Sequence, residues 1–196
     1  MSVFDTVYHA SSVRGLKRIV PSESTHGTWV YAVRDAVLAA CFVSTLGGDL
    51  TCAVGRDPET GKPYLCERFS GAFESRFAHQ TGAIYVMDGT TFLSERTPWE
   101  EEVVCAEPVA VREEIRIDDA AEHLTALADE GRLLIVRYPK RIDGIPSDDS
   151  DLIARAVIWQ RQFGDEIVKR FAAYHPQLLP KIQRALGGER TQSWTD

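Results

Sequence analysis

The chain has 196 residues, 44% of them hydrophobic and 26% charged, enough for one domain with a sizeable core or for a domain with a helical appendage. Its formal net charge of -7 argues against general nucleic-acid binding, which needs clustered Lys and Arg; the short basic stretches VRGLKR (13–18) and YPKR (138–141) are local exceptions. No basic segment followed by an apolar run marks a signal peptide, and no apolar run approaches the length of a membrane span, so a cytoplasmic protein with no membrane partner is expected.

In chain order, DTVYHAS (5–11) reads as a strand and SSVRGLKRIV (11–20) as a short helix that Pro21 ends. PSESTHGT (21–28) reads as a polar loop and WVYAV (29–33) as a second strand. Asp35 is placed to cap AVLAACFVSTL (36–46), a helix so apolar that most of its surface must be buried, stopped by Gly47 and Gly48. LTCAVG (50–55) and PYLCERF (63–69) read as strands joined by a turn-rich connector, and AIYVMD (83–88) as a further strand. GTTFLSERTPWEE (89–101) is an irregular loop, and 102–117 a long strand or two, broken near Pro108.

After Asp118 the texture changes. DDAAEHLTALADEG (118–131) carries an Asp cap, good helix formers and a closing Gly, and RLLIVRYP (132–139) returns as a strand. A Gly/Pro/Ser/Asp linker (140–151) leads to three helical stretches and a frayed tail, ERTQSWTD (189–196). The expected architecture is α+β: packed, largely antiparallel sheets with flanking helices over 1–117, and a mainly helical C-terminal region over 118–196 packing on that core. The helical apolar positions Ile153, Val157, Ile158, Phe163, Ile167, Phe171, Leu178, Leu179 and Ile182 are expected to pack on the core, with a homodimer or another partner as the alternative.

Cys41, Cys52, Cys66 and Cys105 form no CxxC pair and lie in apolar contexts, so buried reduced thiols are expected and no metal site is assigned. His26, His79, His123 and His175 are read as surface residues. Neither GxGxxG nor a P-loop is present. Read alone, His9 is a hydrogen-bonded strand residue, Tyr31 a half-buried strand tyrosine and Glu102 a solvated strand edge.

Three motifs change that reading: YHAS (8–11), VYAVRDAVLAA (30–40) and EEEVVCAEPVAV (100–111). Together, in this order, they resemble the ADP-ribosyltransferase superfamily, in its diphtheria-toxin and poly(ADP-ribose) polymerase branch with a His-Tyr-Glu signature. The rifampin-modifying members look similar through GAIYVMD and EPVAV. The resemblance spans about residues 6–117. It implies NAD as a substrate, release of nicotinamide, and transfer of ADP-ribose to an acceptor or to water. It implies that His9 hydrogen-bonds a ribose hydroxyl, that Ala10 clamps the carboxamide through its backbone with support from Ser11, and that Tyr31 stacks on the nicotinamide ring. Glu102 is the implied catalytic acid, with Glu100, Asp88 and Glu95 as fallbacks. Trp99 and Arg96, in the loop before it, are the acceptor-recognition candidates. Ala10 departs from the family's Gly and puts a Cβ at the carboxamide site. Two alternatives accompany this expectation: a catalytically inactive binding protein of the same fold, and an RNA 2′-phosphotransferase-like enzyme, whose full arginine set is missing and whose RNA substrate suits an acidic chain poorly.

Overall fold

Strand alternation and the helix caps build a mixed α/β chain, seen in a computed structural model that describes residues 4–192. The strands are β1 (Thr6–Ser11), β2 (Arg18–Ile19), β3 (Ser22–Ser24), β4 (Gly27–Val33), β5 (Cys52–Arg56), β6 (Pro63–Glu67), β7 (Gly82–Asp88), β8 (Glu102–Cys105), β9 (Val109–Ile117) and β10 (Leu134–Val136). The helices are α1 (Ala36–Ala40), α2 (Ala72–Phe77), α3 (Ala120–Asp129), α4 (Ser150–Phe163), α5 (Glu166–Tyr174) and α6 (Leu179–Gln192). The main sheet is antiparallel, in the order β2-β9-β7-β1-β4-β3, with β8 also paired to β4. A second sheet, β10-β6-β5, carries a parallel pair between β10 and β6. Among the described residues no helix is long and apolar enough to cross a membrane.

Two faces of the main sheet bury two apolar clusters, as the period of two demands. Val7, Val30, Ala32, Tyr85, Met87 and Val103 belong to one. Val33 and Ile84, with Tyr8 and Ala10 against them, belong to the other, together with α1, α2 and α3. Ala120, Leu124, Leu127 and Leu133 lie in this second cluster, so α3 and the approach to β10, assigned from sequence to the C-terminal region, are part of the core. The independent helical unit is α4–α6. Its apolar positions Leu152, Ile167, Phe171, Leu178 and Ile182 pack mainly on one another together with Leu50 from the core. That face packs mainly on itself; the helical region meets the core through Phe69, which stacks on Tyr174 and takes the His175 ring edgewise, and through polar contacts. Buried Arg68 bridges Asp149 and Asp151, and Arg155 pairs with Asp49. The side chain of Phe163 and residues 193–196 of the expected frayed tail lie outside the described residues, while α6 continues to Gln192.

Three local expectations are corrected. Residues 11–20 form no helix: Gly15 sits at φ 76°, Arg14 donates to Gly82 O and Ile117 O, and the Leu16 N–H is taken by Tyr85 Oη at 3.2 Å. Tertiary partners claim the groups a helix needs. The loop over 21–28 is instead the β3–β4 hairpin. The helix over 36–46 stops at Ala40, where Arg76 takes Cys41 O, a carbonyl that a helix continuing to 46 would use internally, and also Ser44 O. Asp35 does cap α1, its carboxylate accepting from Val37 N at 2.8 Å. Asp119 likewise caps α3, and Gly131 follows at φ 70°. The short α2 has no counterpart in the sequence reading.

Candidate functional site

The three motif strands lie side by side, in the order β1-β4-β8. β1 pairs with β7 over all six of its residues but meets β4 at Tyr8–Val33, beyond which β1 and β4 splay. The register puts Tyr8, Val33 and Glu102 in one row across the sheet, with Tyr31 opposite Val104 on the same face. Tyr31 and Glu102 are therefore diagonal neighbours, about 7–8 Å apart along the backbone. By alternation His9 belongs to the other face. It reaches the same cleft through the splay, where its Nδ1 stands 2.8 Å from Tyr31 O.

That hydrogen bond fixes the chemistry of the ring. A carbonyl oxygen only accepts, so Nδ1 carries the proton. Burial lowers the His9 pKa against the smaller opposing effect of this bond, so the imidazole is neutral near pH 7 and Nε2 presents a lone pair. Among the described residues no protein group bonds to Nε2.

A small cleft of about 150 Å³ opens at the splay, lined by His9, Ala10, Tyr31, Phe42, Trp99 and Glu102, with Tyr8, Ala32, Val33 and Ala39 at its base. The Tyr31 hydroxyl donates to Gly27 O at 2.6 Å, which ties the ring across its own hairpin. Burial raises the Tyr31 pKa, a hydrogen bond with Ser24 opposes this, and nearby Glu102 raises it further. Phe42 and Trp99 meet edge to face with centroids 5.5 Å apart.

The loop carrying Trp99 is closed at its base by the Leu93–Val104 bridge, and Glu102 N donates to Trp99 O at 3.0 Å, a tight turn that sets the indole beside the acid. The three consecutive glutamates separate cleanly. Glu100 is exposed, and its backbone carbonyl accepts from Arg34. Glu101 receives Arg56 through two bonds, and Arg56 also holds Asp35, the α1 cap. Glu102 enters the cleft. Burial raises its pKa, and a hydrogen bond with Thr97 draws it part of the way back.

The fallback acids stand elsewhere. Asp88 lies at the far end of β1, opposite Thr6, bonded to Thr90 and paired with Arg112. Glu95 and Arg96 are exposed, and Glu95 sits at φ 59°. Ser11 is absent from the cleft lining; its hydroxyl accepts from Val13 N at 3.1 Å and shapes the exit of β1. Phe42 is the aromatic wall that the sequence reading missed, along with Tyr8, Ala32, Val33 and Ala39, since it looked like one more apolar position of a buried helix.

The four cysteines are free and buried, and burial pushes the Cys41 and Cys52 thiols up to about 12. Among the described residues no three His, Cys, Asp or Glu side chains converge as metal ligands. His79 is exposed as expected, but His175 is buried: its Nε2 donates to Leu50 O at 2.6 Å and its ring packs edgewise on Phe69. It fastens the helical unit to the core.

No family model, curated protein or solved structure matches the chain.

Proposed function

We propose that the chain is an NAD-dependent ADP-ribosyltransferase that releases nicotinamide and passes ADP-ribose to an acceptor or to water. One observation carries this reading: a single cleft gathers His9, Ala10, Tyr31 and Glu102 from three adjacent strands, although Ala10 and Glu102 are 92 residues apart. A cavity of about 150 Å³ is the size class that takes one benzene ring. It suits the nicotinamide ring, with Tyr31 available to stack on it and the rest of the dinucleotide extending outside. The free Nε2 of His9 is an acceptor of the kind a ribose hydroxyl requires.

Bond cleavage then proceeds as follows. The C1′–N bond of NAD breaks and its electron pair neutralises the pyridinium nitrogen, so nicotinamide leaves uncharged. Positive charge gathers on the ribose, and the Glu102 carboxylate offsets it in a half-buried setting where such an interaction exceeds its value in water. The same carboxylate accepts the proton of the incoming hydroxyl. Arg56 acts as a positioning residue, tying Glu101 to the α1 cap and fixing the strand start on which Glu102 stands.

The Ala10 side chain favours a second reading, an NAD-fold binder without turnover, because its Cβ lies where close backbone approach to the carboxamide is needed. Nicotinamide release from NAD separates the two. Wild-type protein releases nicotinamide, while Glu102→Gln binds NAD and falls about 10²–10⁴-fold in rate. Equal rates for the two proteins remove Glu102 from the chemistry; NAD binding without release by wild type leaves the binder.

A further inference from the structure

Glu102 faces a second space. A cavity of about 540 Å³ shares Phe42, Trp99 and Glu102 with the small cleft, and Tyr64 of β6 with Ile158 and Trp159 of α4 line its other side. Residues confined to the small cleft come from β1, β4 and α1, whereas the larger cavity draws on β5, β6, α4 and the linker before it. Its volume falls in the range that encloses a whole small organic ligand. Phe42, Tyr64, Trp99 and Trp159 make its walls aromatic. Arg155 is paired with Asp49 and Arg68 with Asp151, so Glu102 is the lining carboxylate not held by an arginine.

We propose that this cavity is the acceptor site and that the acceptor is a flat aromatic small molecule carrying a hydroxyl. The proposal rests on the ADP-ribosyltransferase reading of the neighbouring cleft. Four aromatic walls recognise a flat ring by stacking, and a phenolic proton, with a pKa near 10, is easier to remove than that of an aliphatic alcohol. A protein acceptor presented from outside would leave Tyr64 and Trp159, both half-buried and confined to the larger cavity, without a role. The step balances with NAD as the co-reactant. The acceptor O–H proton passes to the Glu102 carboxylate, and the oxygen forms a bond to C1′ of the ribose. The C1′–N bond breaks with its electron pair on the ring nitrogen, neutral nicotinamide leaves, and Glu102 returns the proton to water.

The test uses the full chain with 2-naphthol as probe and three readouts: quenching of tryptophan emission, formation of the naphthol–ADP-ribose adduct, and nicotinamide release into water. Ile158→Arg is the blocking variant, since Ile158 is 54% exposed and the fold tolerates a polar group there. Ile158→Trp, which fills the space without a charge, is the second. Both are expected to weaken naphthol binding and adduct formation at least about tenfold and to leave release into water within about twofold of wild type. Release into water with no naphthol quenching, or with quenching and adduct unchanged in both variants, overturns the acceptor assignment and leaves the reading of the cleft standing. Displacement of naphthol by NAD assigns the cavity to the dinucleotide itself and also overturns it. Naphthol binding that the variants weaken, with no nicotinamide release under any condition, overturns the transferase reading and the acceptor role together.

Discussion

Replacing Arg76 with Met tests what shapes the segment behind the cleft. The guanidinium is 2% exposed and, among the described residues, forms no close ion pair, though Asp49 acts on it from nearby; it donates to Cys41 O, Ser44 O, Gly48 O and Cys52 O, at 3.0 to 3.2 Å. Burial lowers its pKa, yet an arginine stays charged in proteins, so these are charge-assisted bonds. Methionine has similar length and no donor. Gly48 O keeps the Thr51 N–H and hydroxyl as donors; each of the other three carbonyls left without a donor costs about 1 kcal/mol at the low end, so together they cost about 3 kcal/mol. Relief from burying an unpaired charge works in the other direction, but the net value of a bond to a charged group already includes that desolvation. Urea denaturation measures the balance: with a slope of about 2–3 kcal/mol/M, Arg76→Met lowers the midpoint by about 1–1.5 M at unchanged slope. Arg76→Lys keeps the charge with at most three donors and falls between the two. A loss below about 1 kcal/mol in Arg76→Met would refute the reasoning, because desolvation relief would then cancel the bonds.

Three further outcomes are expected. Ala10→Gly removes the Cβ from the carboxamide site and tightens NAD binding about 3–10-fold by calorimetry, while strand entropy lowers stability by about 0.5–1 kcal/mol; unchanged affinity would show that the Cβ is not in the way. The acid limb of kcat/KM lies above the ordinary glutamate value of about 4.3, because burial raises Glu102 in the free protein, and the limb of kcat lies lower, because the bound pyridinium cation favours the carboxylate; coincident limbs in a pH–rate series would contradict this. His175 is held neutral by burial, so its folded-state pKa lies below the unfolded value of about 6.5. The unfolded chain therefore takes up the proton first: stability from neutral His175 is complete above about pH 6.5 and declines below it, and the stability difference between about pH 7.5 and 5.5 shrinks in His175→Gln, which does not titrate there.

The strands were legible where alternation is clean, as in AIYVMD and WVYAV, and so were caps such as Asp35 and Asp119, because both signals are local. What failed was set at a distance. Residues 11–20 carry a helical pattern, but Gly82, Glu114 and Tyr85 hold their polar groups. The end of α1 is written in Arg76, some 35 residues downstream. His175 lies in a helical stretch and gives no sign that Leu50 O, 125 residues away, will bury it. In the site, Glu102 could be placed by parity and motif order, but its separation from Glu100 and Glu101 depends on Arg34 and Arg56, which sit on other elements.

The splay of β1 from β4 explains why a cleft forms where the sequence shows an unbroken pair of strands. Ladder pairing with β4 is recorded at Tyr8–Val33, whereas pairing with β7 runs on to Ser11. Beyond Tyr8, the backbone N–H and C=O groups of β1 that point toward β4 face the gap, an internal strand edge. His9 satisfies one carbonyl across it, that of Tyr31. On the proposed function, a planar amide, with a donor and an acceptor side by side, is the complement of such a strand edge. This geometry allows His9, which alternation sends to the far face, to share a cavity with Glu102. A substitution that closed the gap by restoring the ladder would remove the site without touching any residue of the His-Tyr-Glu set.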